Sequence, residues 1–144
     1  MVTHAWQAYG GPMKAKTPLP LVYACSGCSS AAQMANDFAL RLTRNGAAEM
    51  SCISGVGGGV PALVRLARSG RPILALDGCP LACVKACLAN AGVEADRHVV
   101  LSAFGVVKRK HHDYDAAEAE RLWPVILAES ETLSASPAKR DQQG

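Results

Sequence analysis

The sequence predicts one α/β domain of three layers: an open, mostly parallel sheet of about four strands with helices on both faces. Three observations carry this. Short apolar runs suited to buried strands alternate with stretches whose apolar residues recur at helical spacing. Glycine- and serine-rich loops separate the two kinds of segment. The length of 144 residues and an apolar fraction of 49% suffice for a single core without a disulfide framework or a metal to hold it.

The elements follow in order. Residues 1–18 hold Gly10, Gly11, Pro12 and Pro18 without an apolar period, and residues 134–144 are equally polar, so both ends are expected to be disordered tails around a domain at 19–133. The first strand is expected at residues 19–24. The first helix opens at Ser30, whose hydroxyl can accept the amide of Gln33 while Gln33 reaches back, and it closes at Asn45 and Gly46. Its stripe is Ala35, Phe38, Ala39 and Leu42.

The second strand is expected at about residues 48–53, and the Gly55, Gly57, Gly58 and Gly59 tract then reads as a flexible loop. Pro61 starts the next helix and Gly70 ends it. Residues 71–76 read as the third strand. Pro80 starts a helix that stops at Gly92, and residues 98–103 read as the fourth strand. Asp115, with Glu118 three residues on, begins a last helix carrying Ala119, Leu122, Trp123 and Ile126, in which Pro124 is expected to cause a kink or break. Strands joined by helices of this length imply parallel pairing with right-handed crossovers, and ligands of such sheets sit at the carboxyl edge.

Six cysteines stand out against this map. Cys25 and Cys28 follow the first strand, Cys52 lies near the end of the second and Cys79 follows the third. Three strands thus deliver thiols to one edge. The Cys25-Ser26-Gly27-Cys28 spacing suits either two sulfurs on one ion or a thiol redox pair. Placed on a helix from Pro80, Cys79 and Cys83 share nearly one face and are separated by about 6 Å of rise, whereas Cys87 lies about 12 Å from Cys79 and is expected to be a packed thiol. Helix starts after Cys28 and Cys79 favour thiolates. Asp77 either orients the loop or a metal ligand, or merely caps the helix.

Other functions find little in the chain. A net charge of +3 and one basic run, Lys108, Arg109 and Lys110, give scant footing for nucleic-acid binding. No apolar stretch is long enough to span a membrane and no secretory signal opens the chain, so no membrane partner and a cytoplasmic location are expected, where stable disulfides are disfavoured. The glycine tract lacks the Lys-Ser/Thr ending of a phosphate loop. His111 and His112 read as a solvated loop, and His4 and His98 complete no cysteine-histidine zinc spacing. No Ser/His/Asp set or paired carboxylates emerge.

Taken together, Cys25-Ser26-Gly27-Cys28, the segment opening at Cys52 with its glycines, and Asp77-Gly78-Cys79-Pro80 resemble the DGC family, named for its Asp-Gly-Cys motif and described as predicted zinc-binding proteins. The likeness covers about residues 21–125 and extends to Cys83, Gly92 and Lys108. It implies Cys25, Cys28, Cys52, Cys79 and Cys83 as a shared metal site. Five thiols exceed the four of a closed zinc site, which leaves a spare thiol, a binuclear centre or an iron-sulfur cluster open. The leading expectation is zinc held by three or four of these thiolates in a structural, sensing or carrier role. The alternatives are an iron-sulfur redox protein and a metal-free thiol enzyme with Cys25 or Cys79 as nucleophile.

Overall fold

The apolar runs around Val22 and Leu74 become strands in which every residue is buried: β1 (Leu21–Ala24) and β3 (Ile73–Asp77). Such runs suit strands covered on both faces, where alternation of polar and apolar residues is not needed. The computed structural model describes residues 18–135. Its remaining elements are α1 (Ser30–Arg44), β2 (Glu49–Met50), α2 (Ile53–Gly57), α3 (Pro61–Ala67), α4 (Cys83–Asn90), β4 (Arg97–Val100), a 3-10 turn (Leu101–Phe104) and α5 (Ala116–Ser134).

All the strands pair in parallel, in the order β2-β1-β3-β4. Val22 lies opposite Met50 on one side and Leu74 on the other, and Leu76 lies opposite Val99. The path from β1 to β2 therefore runs one way and the path from β3 to β4 the other. Right-handed crossovers of opposite direction place their helices on opposite faces and open a crevice where the order reverses, between β1 and β3. Helix α1 packs on β1, β2 and β3 and against α5, while α4 packs on β3 and against α2. The expected three-layer class is observed.

Several boundaries differ from expectation, each for a local reason. Ser29 rather than Ser30 caps α1, accepting the amide of Ala32 at 3.1 Å. Ser30 is 3% exposed and turns inward instead, its hydroxyl donating to the carbonyl of Val107 at 3.3 Å and accepting the amide of Arg109 at 2.9 Å. The Gln33 side chain donates to the carbonyl of Gly27 and so ties down the loop before the helix. The expected second strand shrinks to two residues, and the first part of the glycine tract is the helix α2. A Cβ at Gly57 would meet Cys87 Sγ at 2.7 Å, so a bare backbone there lets α2 lie against α4.

Arg71 is not a strand residue. Its guanidinium donates to the Leu19 carbonyl at 2.6 Å and pairs with Glu49 at 2.8 Å, bridging the start of the sheet. The fourth strand ends at Val100 and the chain continues as the 3-10 turn.

Asp115 caps α5 as expected, accepting the amides of Ala117 and Glu118. Pro124 does not end this helix. Packing offsets the lost backbone hydrogen bond: Trp123 stacks on Phe38 at 6.2 Å, Arg41 lies 4.1 Å over the Trp123 ring, and Leu122 and Ile126 are buried. Apart from Pro18, Ser134 and Ala135, the expected tails lie outside the described residues, and Ser134 is the last residue of α5. Among the described residues no helix is long and apolar enough to cross a membrane.

Candidate functional site

The crevice between β1 and β3 receives the chain leaving both strands. The amide of Cys25 donates to the carbonyl of Leu76 at 3.1 Å, which extends the ladder one step beyond β1. The amide of Gly78 in turn donates to Cys25 Sγ at 3.2 Å. Around this stitch lies a cavity of about 440 Å³ whose lining includes Cys25, Cys28, Cys79 and Cys83. Cys25 is 8% exposed, Cys79 is half-buried, and Cys28 and Cys83 are exposed.

The other two cysteines stand apart from this lining. Cys52 follows β2 at the same edge of the sheet but is exposed at the N-cap of α2, its Sγ 3.2 Å from Ser54 Oγ. Cys87 is half-buried beside Gly57, in accord with the packed thiol expected. All six cysteines are free thiols. Among the described residues no group of three or more His, Cys, Asp or Glu side chains is drawn together closely enough to hold a metal ion.

The segment after β3 corrects the expected helix from Pro80. Helix α4 starts only at Cys83, after a turn in which the amide of Ala82 donates to the carbonyl of Cys79 at 3.1 Å and Ala82 takes a left-handed φ of 53°. Cys79 and Cys83 are therefore brought to one cavity by a turn, not by a shared helix face.

Each residue of the Asp-Gly-Cys motif has its own physical task in this turn. Asp77 is 1% exposed, and its carboxylate caps α4 by accepting the amides of Val84 at 2.9 Å and Lys85 at 3.3 Å. The same carboxylate is 2.8 Å from His98 Nε2 on β4. Gly78 passes so close to α1 that a Cβ there would lie 2.6 Å from the Ala31 carbonyl carbon. Cys79 then reaches the cavity. The capping role expected of Asp77 is observed, and its carboxylate oxygens are met by amides and an imidazole.

The other wall is the segment after the 3-10 turn. Val106 is buried, and Ser30 grips residues 107–109 through its amide, which donates to the Arg109 carbonyl at 2.8 Å, as well as through its hydroxyl. Lys110 bridges to Ser29 in antiparallel fashion. Lys108, Lys110 and His111 line the cavity, with Lys108 Nζ donating to Cys79 Sγ at 3.4 Å. Among the described residues, the two non-glycine residues with positive φ, Ala82 and His111, both line this cavity. Strained backbone of this kind persists where surrounding structure over-determines it, and it gathers at functional sites.

His111 is exposed in a turn, as expected of a solvated loop, yet it also lines the cavity, and the sequence pointed to no role for Lys110 or His98. The legible signal for the lysines was their two-residue spacing after an apolar run, which puts Lys108 and Lys110 on one side of an extended segment. His98 carried no such signal, because its partner Asp77 lies on a different strand.

The thiols differ in how readily they ionise. Burial pushes the Cys25 thiol up to about 11, against a smaller opposing effect of the Gly78 amide. Burial also raises Cys87. Cys52 is lowered, first by the Ser54 hydroxyl and then by the backbone amide of Gly55.

A family model described as the DGC domain matches residues 21–126. The chain is also 67% identical over 106 residues to a Pseudomonas aeruginosa protein described as the anaerobic and virulence modulator AnvM, an alignment that covers 74% of this chain and 81% of that relative. No solved structure matches the chain.

Proposed function

The chain belongs to the DGC domain family, and we propose that it senses a thiophilic metal ion, zinc foremost, through thiolates of Cys25, Cys28, Cys79 and Cys83. The observation that carries this reading is that these four thiols, from loops after two different strands, line one cavity at the point where the strand order reverses. Their number and chemistry suit a tetrahedral all-sulfur set. Cys28 and Cys83 are exposed, so their side chains have room to turn inward and close the set. Cys52, counted by the family likeness in the same site, is outside this lining and is the spare thiol in this reading.

A bound zinc ion supplies positive charge that holds thiols deprotonated. The chain's own residues prepare for this. The Gly78 amide already points at Cys25 Sγ, and the Lys108 ammonium stands beside Cys79 as a countercharge. Asp77 anchors α4, so the turn carrying Cys79 and Cys83 has a fixed base.

Sensing is favoured over a structural role because β1 and β3 are fully buried in an apolar core that the helices' own side chains complete. The described name of the relative, a modulator, accords with a regulatory role. The cavity, larger than one ion, supports an iron-sulfur cluster on the same four thiols as the second reading. A metal-free enzyme with Cys25 as nucleophile is disfavoured, since burial holds that thiol protonated.

Elemental analysis of anaerobically purified protein tests the proposal. About one equivalent of zinc is expected, lost in Cys79→Ser. Less than about a tenth of an equivalent, with none taken up on addition, overturns the reading; iron with acid-labile sulfide in a brown preparation selects the second one.

A further inference from the structure

The wall of the cavity that faces the thiols is cationic, and its charge is not used by the metal reading beyond the one contact to Cys79. Residues 107–110 are held in place by the three hydrogen bonds of buried Ser30 and by the bridge between Ser29 and Lys110. Lys108 and Lys110 line the cavity while Arg109 is absent from its lining, the alternation that side chains two residues apart on one face would give. Their backbone is pinned, so binding there pays side-chain ordering but little backbone ordering.

The cavity lining contains one carboxylate, Asp77, and that group is already occupied by Val84, Lys85 and His98. Among the described residues neither lysine forms an ion pair. Lys108 has three donors and spends one on Cys79, leaving two. The lining also carries apolar surface: Leu81, which is 72% exposed, Ala32 and Ala82. A space of about 440 Å³ is within the range of pockets that enclose a small organic molecule.

We propose that this cavity binds a small organic anion, a carboxylate or phosphate ester with a short apolar stem. The anionic end sits between Lys108 and Lys110 and the stem lies on Leu81. The pinned segment and the left-handed His111 and Ala82 in the lining make the subsite part of the folded chain, independent of any metal. The ligand's charged end lies beside Cys79, so its arrival is felt at the thiols.

The test is a titration of the 15N-labelled full chain, metal-free and reduced with dithiothreitol, followed by amide shifts. The probes are hexanoate, hexyl phosphate, hexanol and inorganic phosphate. Hexanoate or hexyl phosphate is expected to shift residues 78–83 and 107–111 saturably, and the tighter of the two identifies the end group. Lys108→Met/Lys110→Met is expected to weaken that binding about tenfold or more, while Arg109→Met changes it by less than about twofold. Hexanol binding as tightly as the anions, or equal losses in Arg109→Met and the double variant, overturns the proposal. Inorganic phosphate as tight as hexyl phosphate overturns the apolar stem. Because the titration uses metal-free protein, its failure leaves the zinc reading intact, and a failed metal analysis leaves this one intact.

Discussion

The loops after β1 and β2 leave the sheet at the same edge and both carry a cysteine close to a serine, yet they build different surroundings. The β1 loop lies beside β3, where the strand order reverses, so Cys25 is covered and takes the Gly78 amide. The β2 loop follows the outermost strand, and Cys52 remains exposed beside Ser54. A shared sheet edge is therefore not enough to bring thiols together. What matters is whether the neighbouring strand also sends its chain into the same crevice.

The largest effect expected from this contrast is kinetic. Burial holds Cys25 at about 11, so at pH 8 about one thiol in a thousand is thiolate, whereas Cys52 is lowered and ionises more readily than an ordinary thiol. Iodoacetamide labelling of metal-free protein at pH 8, read by peptide mass spectrometry, should modify Cys52 more than about a hundredfold faster than Cys25. Comparable rates would break the comparison.

A smaller effect separates the glycines of the two regions. Gly78→Ala drives a Cβ to 2.6 Å from the backbone of Ala31 and should cost about 1–3 kcal/mol in urea unfolding, because neither the β3 loop nor α1 can yield freely. Gly58→Ala, where the nearest atom is the Ser54 carbonyl oxygen at 3.1 Å, should cost less than about 1 kcal/mol. An equal cost at both positions means that the turn after β3 is no more constrained than the end of α2.

The smallest effect sharpens the boundary of the site. Cys52→Ser replaces an exposed side chain outside the cavity lining, so its urea midpoint should correspond to a change within about 0.5 kcal/mol. Its zinc content should match that of the unsubstituted chain. A loss of zinc in this variant would bring Cys52 back into the metal set.

Much of the layout was legible because it rests on local patterns. The stripe of Ala35, Phe38, Ala39 and Leu42 is buried on α1, Gly46 ends that helix with φ +74°, and Asp115 caps α5. Errors arose where a distant partner outweighed a local preference. Ser30 has the chemistry of a helix cap, but residues 107–109 claim its hydroxyl. Pro80 suits a helix start, but Asp77 caps the amides of Val84 and Lys85, which sets the first turn of α4 three residues later. Pro124 suits a kink or a break, and α5 runs unbroken past it with Trp123 stacked on Phe38.

The sequence by itself determined the alternation of strands and helices, the parallel sheet, and the placing of Cys25, Cys28, Cys52 and Cys79 at strand ends. Period, caps and apolar runs act over a few residues, so they are written locally. Only the tertiary structure decided that the thiols after β1 and β3 share a cavity, that Cys52 stands outside it, and that Lys108 and Lys110 face it. Those outcomes depend on the order β2-β1-β3-β4 and on Ser30 gripping a segment far along the chain. Strand order is settled by which apolar faces pack together across the whole domain, and no short window of residues contains that choice.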